Sequence, residues 1–390
     1  TICGRRSRHI NHDGMDGSGH LQPQGKRSVV GERAGDKLRT EQLLYYISGF
    51  GFGHLTRSLA VSEALLDLQP ELGLVLRCHP GQFEFAGNYL RRFLARVELT
   101  PFVSQFQIAF DEANWCIDNA LTRQSVLRWI AELSQTAVGE QARLPAGIRA
   151  VISDIVPEAF AVAKQAGLPG IGVSNYTWYE VAAGFCGPGE IEPLRTMYEQ
   201  ADLLLNYELS TGAAIPIRPK IPAGLICRPF NGGRIAEIRN RYKQPERPLV
   251  FLSVGGALSL ERIGLCADFD YLYTRGINPP AGMTAHLIAP EATDTQNYLA
   301  ACDAVITKCG WSTVAEALLA DKPLFVVKSA NGWAEEQAIL SRLRDWRAAV
   351  EIEAGQLPCL NCQALVPQQL RFENNCKTVA SQILQRAGFG

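Results

Sequence analysis

One local pattern constrains this chain most: a short apolar run ends in a glycine-rich loop and continues into an amphipathic helix. Its first copy, "LLYYISGFGFGHLTRSLAVSEALL", spans residues 43–66. After the loop, Leu55, Leu59 and Val61 lie at a spacing that places them on one broad helical face. A strand, a glycine loop and a helix in this order form the opening unit of a parallel α/β sheet.

The same pattern recurs later in the chain. "IRAVISDI" predicts a buried strand, and "LVFLSVGG" begins the scheme again at residue 249. "CDAVITKCG" followed by "STVAEALLA" gives a third glycine loop between a strand and a helix. We therefore predict two Rossmann-like doubly wound α/β domains, at residues 41–231 and 249–390. The charged segment 232–248, which is poor in apolar residues, is predicted to be the linker.

Length and composition agree with two globular domains. The 390 residues exceed one ordinary core, and 47% hydrophobic with 20% charged residues is typical of a soluble globular protein. A net charge of −1 gives no global attraction to nucleic acid. The sequence has no run of about 18 uncharged apolar residues, so no transmembrane helix is predicted. Peripheral membrane contact stays open. Residues 1–40 lack both apolar periodicity and the apolar core of a secretory signal, so we expect disorder there.

The eleven cysteines are mostly scattered singly inside apolar runs, which is typical of buried free thiols in a reducing compartment. We therefore expect a cytoplasmic protein. Cys359 and Cys362 form the one close pair, "PCLNC". A lone C-x-x-C without a second pair is a weak metal signal, and a structural loop is the favoured interpretation.

The glycine spacing excludes two common nucleotide sites. The first loop reads G-x-G-x-G-H and not the G-x-G-x-x-G of dinucleotide binding, and no Walker A pattern is present. In open α/β sheets, ligands bind beyond the carboxyl ends of the strands, where helix N-termini accept phosphate. These loops therefore predict a binder of some other phosphorylated ligand.

Three separated segments carry a resemblance to a known family. "YYISGFGFGHLTRSLAVSEAL" and "ISDIVPEAFAVAKQAGLPGIGVSNYTW" resemble GT-B glycosyltransferases, especially the glycosyltransferase-like N-terminal half of plant L-arabinokinase. "YLAACDAVITKCGWSTVAEALLADKPLFVV" resembles the same group and the donor segment of the lipid I N-acetylglucosaminyltransferases. The segments occur in the same order, over about residues 43–350. The match is to the glycosyltransferase-like half, so the resemblance implies sugar transfer and not sugar phosphorylation.

The resemblance implies a cleft between the two domains, with a nucleotide-sugar donor bound by the second domain. Gly310 and the helix start at Ser312 and Thr313 would meet the diphosphate, and Glu316 would bind the ribose hydroxyls. Glu316 lies one helical turn beyond Ser312, so the side chains share a face. The remaining donor-side residues are the sugar-facing Glu335, Glu336 and Gln337 and the nucleotide-pocket residues Gly255 and Gly256.

The first domain would take the acceptor, whose identity the resemblance does not imply. His54 is the one histidine in these loops and could act as general base, position a ligand or cap the helix. Asp154 could orient His54, bind acceptor or cap the helix after Pro157. For Arg57, a solvated helix charge is favoured over a phosphate partner. Acceptor-side candidates are Gly51 and Gly53, which leave room for an acceptor, and Asn175, Tyr176 and Trp178, which either shape the pocket or pack.

The expected reaction is inverting and independent of metal. "DFD" at Asp268–Asp270 is taken as a connection into a strand, since a lone carboxylate pair lacks a full ligand set. Helix dipole and backbone donors would then stabilise the leaving diphosphate. No cofactor besides the nucleotide-sugar co-substrate is expected. Two alternatives stay open: a nucleotide-sugar hydrolase or epimerase of the same fold, and a sugar-nucleotide-binding module without catalysis.

Overall fold

The computed structural model describes residues 41–111, 116–254, 264–329, 332–361 and 370–389. The predicted disordered segment 1–40, the loop glycines Gly255 and Gly256, and Cys362 lie outside these residues.

Residues 41–231 alternate strands and helices, as the strand–glycine–helix pattern predicts. The strands are β1 (Gln42–Ile47), β2 (Gly73–Cys78), β3 (Val97–Pro101), β4 (Phe110–Asp111), β5 (Cys116–Ile117), β6 (Ile148–Asp154), β7 (Gly170–Ser174), β8 (Leu203–Tyr207) and β9 (Lys220–Gly224). The helices are α1 (Gly53–Leu68), α2 (Phe83–Tyr89), α3 (Asn119–Gln141), α4 (Glu158–Ala166), α5 (Trp178–Ala182) and α6 (Glu192–Tyr198).

The first sheet is parallel and doubly wound. Its strand order is β3-β2-β1-β6-β7-β8-β9, and β4 and β5 pair separately as a short antiparallel ribbon. The chain builds outward from β1 to β3 and then returns to place β6 on the other side of β1. This reversal leaves a crevice beyond the carboxyl ends of β1 and β6, which is where ligands bind in such sheets.

The remaining residues form a second sheet of the same kind. Its order is β12-β11-β10-β13-β14-β15, with every neighbouring pair parallel, so its reversal lies between β10 and β13. The strands are β10 (Leu249–Ser253), β11 (Asp270–Tyr273), β12 (Ala285–Leu287), β13 (Ala304–Lys308), β14 (Leu324–Val327) and β15 (Val350–Ile352). The helices are α7 (Gly232–Tyr242), α8 (Thr295–Ala301), α9 (Trp311–Leu319), α10 (Ala334–Trp346) and α11 (Cys376–Arg386).

The sequence identifies the central strands and misses the outer ones. β1 and β10 are buried almost throughout, so they appear as continuous apolar runs. The outer strands β3, β12 and β15 are partly exposed, and no such run marks them.

The segment 232–248, predicted as a linker, contains helix α7. Asn231 caps this helix by accepting from the backbone N–H of Arg234. Arg234 and Arg239 then reach Asp294 and Asp303, on either side of α8, at 2.9 and 2.7 Å. The charge that made the segment look like a solvated linker is therefore used to attach the helix to its neighbour.

The chain end returns to the first half of the molecule. Helix α11 packs against α1, and Leu225 forms an isolated parallel bridge with Asn374. Asn374 also donates to the Cys227 carbonyl at 2.8 Å. The described residues, from 41 to 389, form one compact unit that contains both sheets.

Gly224, at the end of β9, offers a test of this return contact. Its φ is +65°, and a Cβ there would lie 2.3 Å from Asn375 Nδ2. We expect Gly224→Ala to lower the free energy of unfolding by about 1–3 kcal/mol, because it adds backbone strain and displaces Asn375. Gly232→Ala, at an uncrowded position without positive φ, should change it by less than about 0.5 kcal/mol. Urea unfolding measures the free energy of unfolding of both variants. Equal losses in the two would contradict the role given to the contact between Gly224 and Asn375.

Candidate active site

The best-defined polar cluster lies at the reversal point of the first sheet. Asp154 is the last residue of β6 and pairs in register with Ile47 at the end of β1. Gly51, with φ of +72°, turns the loop after β1 into helix α1. His54 therefore lies in the first turn of α1, where it reaches back over the sheet edge toward Asp154.

His54 is hydrogen-bonded through both ring nitrogens. Nδ1 lies 3.0 Å from Oδ1 of Asp154, and Nε2 lies 3.0 Å from the Tyr176 hydroxyl. The three side chains are buried, with His54 the most exposed at 6%. Of the interpretations left open for His54, this contact with a carboxylate fits a general base with an orienting partner.

Arg57 is the residue whose sequence interpretation was wrong. Predicted as a solvated helix charge, it is 3% exposed and forms the centre of the cluster. Its Nε donates to Asp154 Oδ2 at 2.7 Å and its Nη2 to Oδ1 at 2.5 Å. Nη1 donates to Asn175 Oδ1 at 2.7 Å. One turn separates Arg57 from His54, so both side chains leave α1 on the same buried face.

This geometry fixes the charge on Asp154. Burial alone would raise the pKa of Asp154, but the charges of Arg57 and His54, with their hydrogen bonds, lower it to about 2. Asp154 therefore remains a carboxylate near neutral pH. The helix-capping alternative for Asp154 is wrong, since Pro157 occupies the N-cap position of α4 and no side chain caps that helix.

A hydrogen-bonded path leads from this cluster into the second half of the unit. Asn175 Nδ2 donates to Glu335 Oε1, on α10, at 3.2 Å. Burial raises the pKa of Glu335, while the charges of Arg57 and His54 act in the opposite direction. Glu335 was expected to face a donor sugar; in this structure its carboxyl group contacts Asn175, which was expected on the acceptor side.

The predicted diphosphate loop lies directly against the first glycine loop. Gly310 is the N-cap residue of α9, which begins at Trp311, so Ser312 and Thr313 occupy the first turn. The Ser312 hydroxyl donates to the Gly53 carbonyl at 2.8 Å. A Cβ at Gly53 would lie 3.2 Å from the same hydroxyl oxygen, so glycine permits this close approach.

Trp311 joins the two halves beneath these loops. Its indole N–H donates to the Glu208 carbonyl at 2.8 Å, and its ring stacks on Tyr207 with centroids 5.0 Å apart. The guanidinium carbon of Arg57 lies 5.2 Å from the Trp311 ring centroid. The guanidinium of Arg57, in the first half, therefore packs on the ring of Trp311, which the second half supplies.

Glu316 has a partner that the sequence did not indicate. Arg228, 1% exposed, donates from Nη2 to Glu316 Oε1 and to Thr295 Oγ1, both at 2.9 Å. Its Nη1 donates to the Thr293 carbonyl. No motif surrounds Arg228 in "GLICRPF", so only its burial in the folded chain reveals the pair. Glu316 is thus held in a fixed orientation one turn into α9.

The remaining predicted donor-side residues differ in their contacts. Glu336 accepts from the backbone N–H and hydroxyl of Ser329, at 3.0 and 2.5 Å. Gln337 is exposed and donates to the Gly332 carbonyl at 3.0 Å. The structure therefore uses both side chains to shape the segment before α10.

Trp178 lies inside an aromatic cluster with an exposed fraction of 1%. Phe50, Phe106 and Tyr176 meet its ring edge to face, with centroids 5.3, 5.0 and 5.8 Å away. Trp333, from the second half, packs on Phe50 with centroids 5.7 Å apart. In this structure Trp178 packs rather than lines open space.

The weaker metal and cysteine signals also have structural explanations. Asp270 begins β11, is buried and accepts from Arg247 Nε at 2.7 Å, which fits the predicted connection into a strand. Within the described ranges, no group of three or more His, Cys, Asp or Glu side chains could hold a metal ion. Cys359 is exposed, whereas seven other cysteines are buried free thiols: Cys78, Cys186, Cys227, Cys266, Cys302, Cys309 and Cys376. No helix in the described residues is long and apolar enough to cross a membrane.

The fold is that of the GT-B glycosyltransferases. SnogD from Streptomyces nogalater superimposes with a TM-score of 0.52 at 14% identity, covering 90% of this chain and 95% of that chain. UGT89C1 from Arabidopsis thaliana, complexed with UDP, gives 0.55 at 12% identity, covering 88% and 94%. UGT71G1 from Medicago truncatula, complexed with UDP-glucose, gives 0.53 at 12% identity, covering 81% and 86%. The predicted GT-B fold is confirmed.

Sequence comparison gives a consistent result. The chain is 26% identical over 321 residues to L-arabinokinase from Arabidopsis thaliana, covering 79% of this chain. It spans about 30% of the length of that relative. No protein-family model matches the chain.

The ion pair of Arg57 and Asp154 gives a stability prediction. We expect Arg57→Met to lower the free energy of unfolding at pH 7 by about 3–5 kcal/mol, because it leaves a buried carboxylate without its partner. The Asp154 pKa of about 2 lies below its ordinary value of 3.8, so the stabilisation is present above pH 3.8 and is lost toward pH 2. The difference in the free energy of unfolding between wild type and Arg57→Met should therefore become smaller as the pH falls below 3.8.

Arg342→Met is the matched control for this measurement. Arg342 is half exposed and lies 3.5 Å from Glu208, so its loss should cost less than about 1 kcal/mol. Urea unfolding at several pH values compares the two variants. An Arg57→Met protein as stable as Arg342→Met would contradict the proposed role of the buried pair.

Proposed function

We propose that this protein is a glycosyltransferase that moves a sugar from a nucleotide-diphosphate donor to an acceptor hydroxyl. The observation that carries the proposal is the contact between the two reversal points. His54, oriented by Asp154, lies one residue from Gly53, whose carbonyl accepts from Ser312 at the start of α9. A candidate proton acceptor and a helix N-terminus of the kind that binds anions therefore lie close together.

The donor is proposed to bind along α9. A diphosphate at the N-terminus of this nine-residue helix would meet the N–H groups after Gly310 and the hydroxyls of Ser312 and Thr313. Glu316, one turn further on and held by Arg228, is at the right spacing for a ribose diol. Gly255 and Gly256, which lie outside the described residues, are proposed from the sequence alone as nucleotide-pocket residues. Glu335, Glu336 and Gln337 are proposed to border the sugar.

The proposed reaction is an inverting displacement without a metal. His54 is the base on which the proton of the acceptor hydroxyl ends, and the oxygen of that hydroxyl attacks the anomeric carbon. The nucleoside diphosphate leaves from the opposite side, and the α9 dipole with its N–H groups stabilises the developing charge. Asp154 stabilises the imidazolium that forms, since it remains ionised.

The transferred group is proposed to be a hexosyl or N-acetylhexosaminyl unit, and the acceptor an alcohol that enters past Gly51 and Gly53. Gly51 has open space beside it, since a Cβ at this position would have no neighbouring atom within 4 Å. The buried cysteines favour a reducing, cytoplasmic location.

A nucleotide-sugar hydrolase is the second candidate. Trp178 and Tyr176 are both 1% exposed, and water is the acceptor that needs the least room beside them. Water as the acceptor would need the same base and the same leaving-group stabilisation.

A donor panel separates these functions. We expect UDP-, GDP- or dTDP-sugars to raise the melting temperature by mass action, and one of them to turn over when alcohols are added. His54→Gln should reduce turnover by about 100-fold or more while binding persists, since only the base is lost. Rapid turnover without an added alcohol would favour the hydrolase. Binding without any turnover in the parent protein would contradict both enzymes and favour a binding module.

Glu316 gives an independent test of the donor site. We expect Glu316→Gln to weaken UDP binding by about 1–3 kcal/mol in calorimetry, because an amide replaces a charged acceptor of ribose hydrogen bonds. Gln retains an acceptor oxygen for Arg228, which limits the loss of stability. Glu237→Gln, which removes an exposed carboxylate on α7, is the matched control. Unchanged UDP affinity in Glu316→Gln would remove this residue from the donor site.

A further inference from the structure

The contacts around His54 indicate which ring nitrogen carries the proton. Nη2 of Arg57 has two hydrogens and three neighbours within hydrogen-bond distance: Asp154 Oδ1 at 2.5 Å, His54 Nδ1 at 2.9 Å and the Ser174 hydroxyl at 3.2 Å. Nδ1 of His54 also lies 3.0 Å from Asp154 Oδ1, an ionised carboxylate oxygen that can only accept. The ring proton is therefore assigned to Nδ1, which donates it to Oδ1.

The other ring nitrogen is therefore an acceptor in the neutral imidazole. Nε2 has a lone pair, and the group in contact with it is the Tyr176 hydroxyl, at 3.0 Å. Tyr176 must donate its hydrogen to Nε2. Burial raises the pKa of Tyr176 well above its ordinary value, and Glu335 raises it further, so the hydroxyl keeps its hydrogen at neutral pH.

Tyr176 cannot easily leave this position. Its ring is 1% exposed and stands perpendicular to Trp178, with centroids 5.8 Å apart. Its backbone N–H donates to Ser174 Oγ, and the preceding residue, Asn175, is bonded to both Arg57 and Glu335. A substrate hydroxyl therefore meets a nitrogen that is already occupied by a fixed phenol.

We propose that the Tyr176 hydroxyl is a catalytic residue that relays the acceptor proton to His54. This inference rests on the proposed glycosyl transfer and concerns its proton path. As the acceptor oxygen bonds to the anomeric carbon, its O–H bond breaks and the proton passes to Tyr176 Oη. The original Tyr176 proton passes to His54 Nε2, so Tyr176 stays neutral and His54 becomes an imidazolium beside Asp154. The bond from the anomeric carbon to the diphosphate breaks, and the nucleoside diphosphate keeps the electron pair.

The kinetic test compares Tyr176→Phe with wild type on two acceptors. The donor is UDP-glucose, or the GDP- or dTDP-sugar that the panel selects. Benzyl alcohol needs its proton removed, whereas 4-nitrophenol is largely ionised at mildly alkaline pH. We expect kcat to fall about 100-fold or more with benzyl alcohol and less than about 10-fold with 4-nitrophenol. Equal losses on both acceptors, or none, would overturn the relay.

Tyr198→Phe is the matched control. Tyr198 is equally buried, and its hydroxyl donates to the Ile155 carbonyl rather than to His54. We expect it to lose stability without any difference between the two acceptors. A selective loss with benzyl alcohol in Tyr198→Phe would mean that the selectivity reflects general damage, and would overturn the assignment to Tyr176.

A second measurement does not depend on turnover. In ¹⁵N-histidine NMR, with His54 identified by its absence in His54→Gln, we expect the proton on Nδ1 and a bare Nε2 whose resonance moves in Tyr176→Phe. A proton on Nε2 would overturn the relay, since Tyr176 could not then donate to it. A wild-type protein that shows no turnover with any donor would refute the proposed function instead. The NMR result would still decide the hydrogen-bond geometry.

Discussion

The ion pair between Arg57 and Asp154 is the interaction on which the rest of the site depends. A buried carboxylate is costly unless it is paired, and Arg57 satisfies both of its oxygens. The same guanidinium fixes Asn175 and rests on Trp311, so one side chain orients groups from both halves of the unit. With its charge maintained in this way, Asp154 can determine the proton position on His54.

The ion pair lies at one of the two points where the strand order of a sheet reverses. In each sheet the chain changes direction between two adjacent strands, and loops can diverge only there to leave a crevice. His54 and Asp154 border the first crevice, and Gly310 borders the second. The hydrogen bond from the Ser312 hydroxyl to the Gly53 carbonyl joins the two crevices, which is the arrangement that the proposed donor and acceptor sites require.

Parts of the site followed from sequence because they are local. The glycine loops, the helix starts and the one-turn spacing from Ser312 to Glu316 all arise within about ten residues, where helical geometry fixes the outcome. Arg57 illustrates the limit of this reasoning. A helix arginine has the same local pattern whether it is solvated or buried, and the deciding partner, Asp154, lies 97 residues away.

The sequence by itself determined the two strand–glycine–helix units, the central parallel strands and the GT-B resemblance, because buried parallel strands and glycine loops leave a local signature. Only the tertiary structure decided that Arg57 is buried, that Arg228 holds Glu316, that Tyr176 meets His54 and that Trp178 packs. It also decided that α7 belongs to the fold and that α11 returns to α1. These are contacts between residues distant along the chain, and their energies depend on burial and partners that no local pattern contains.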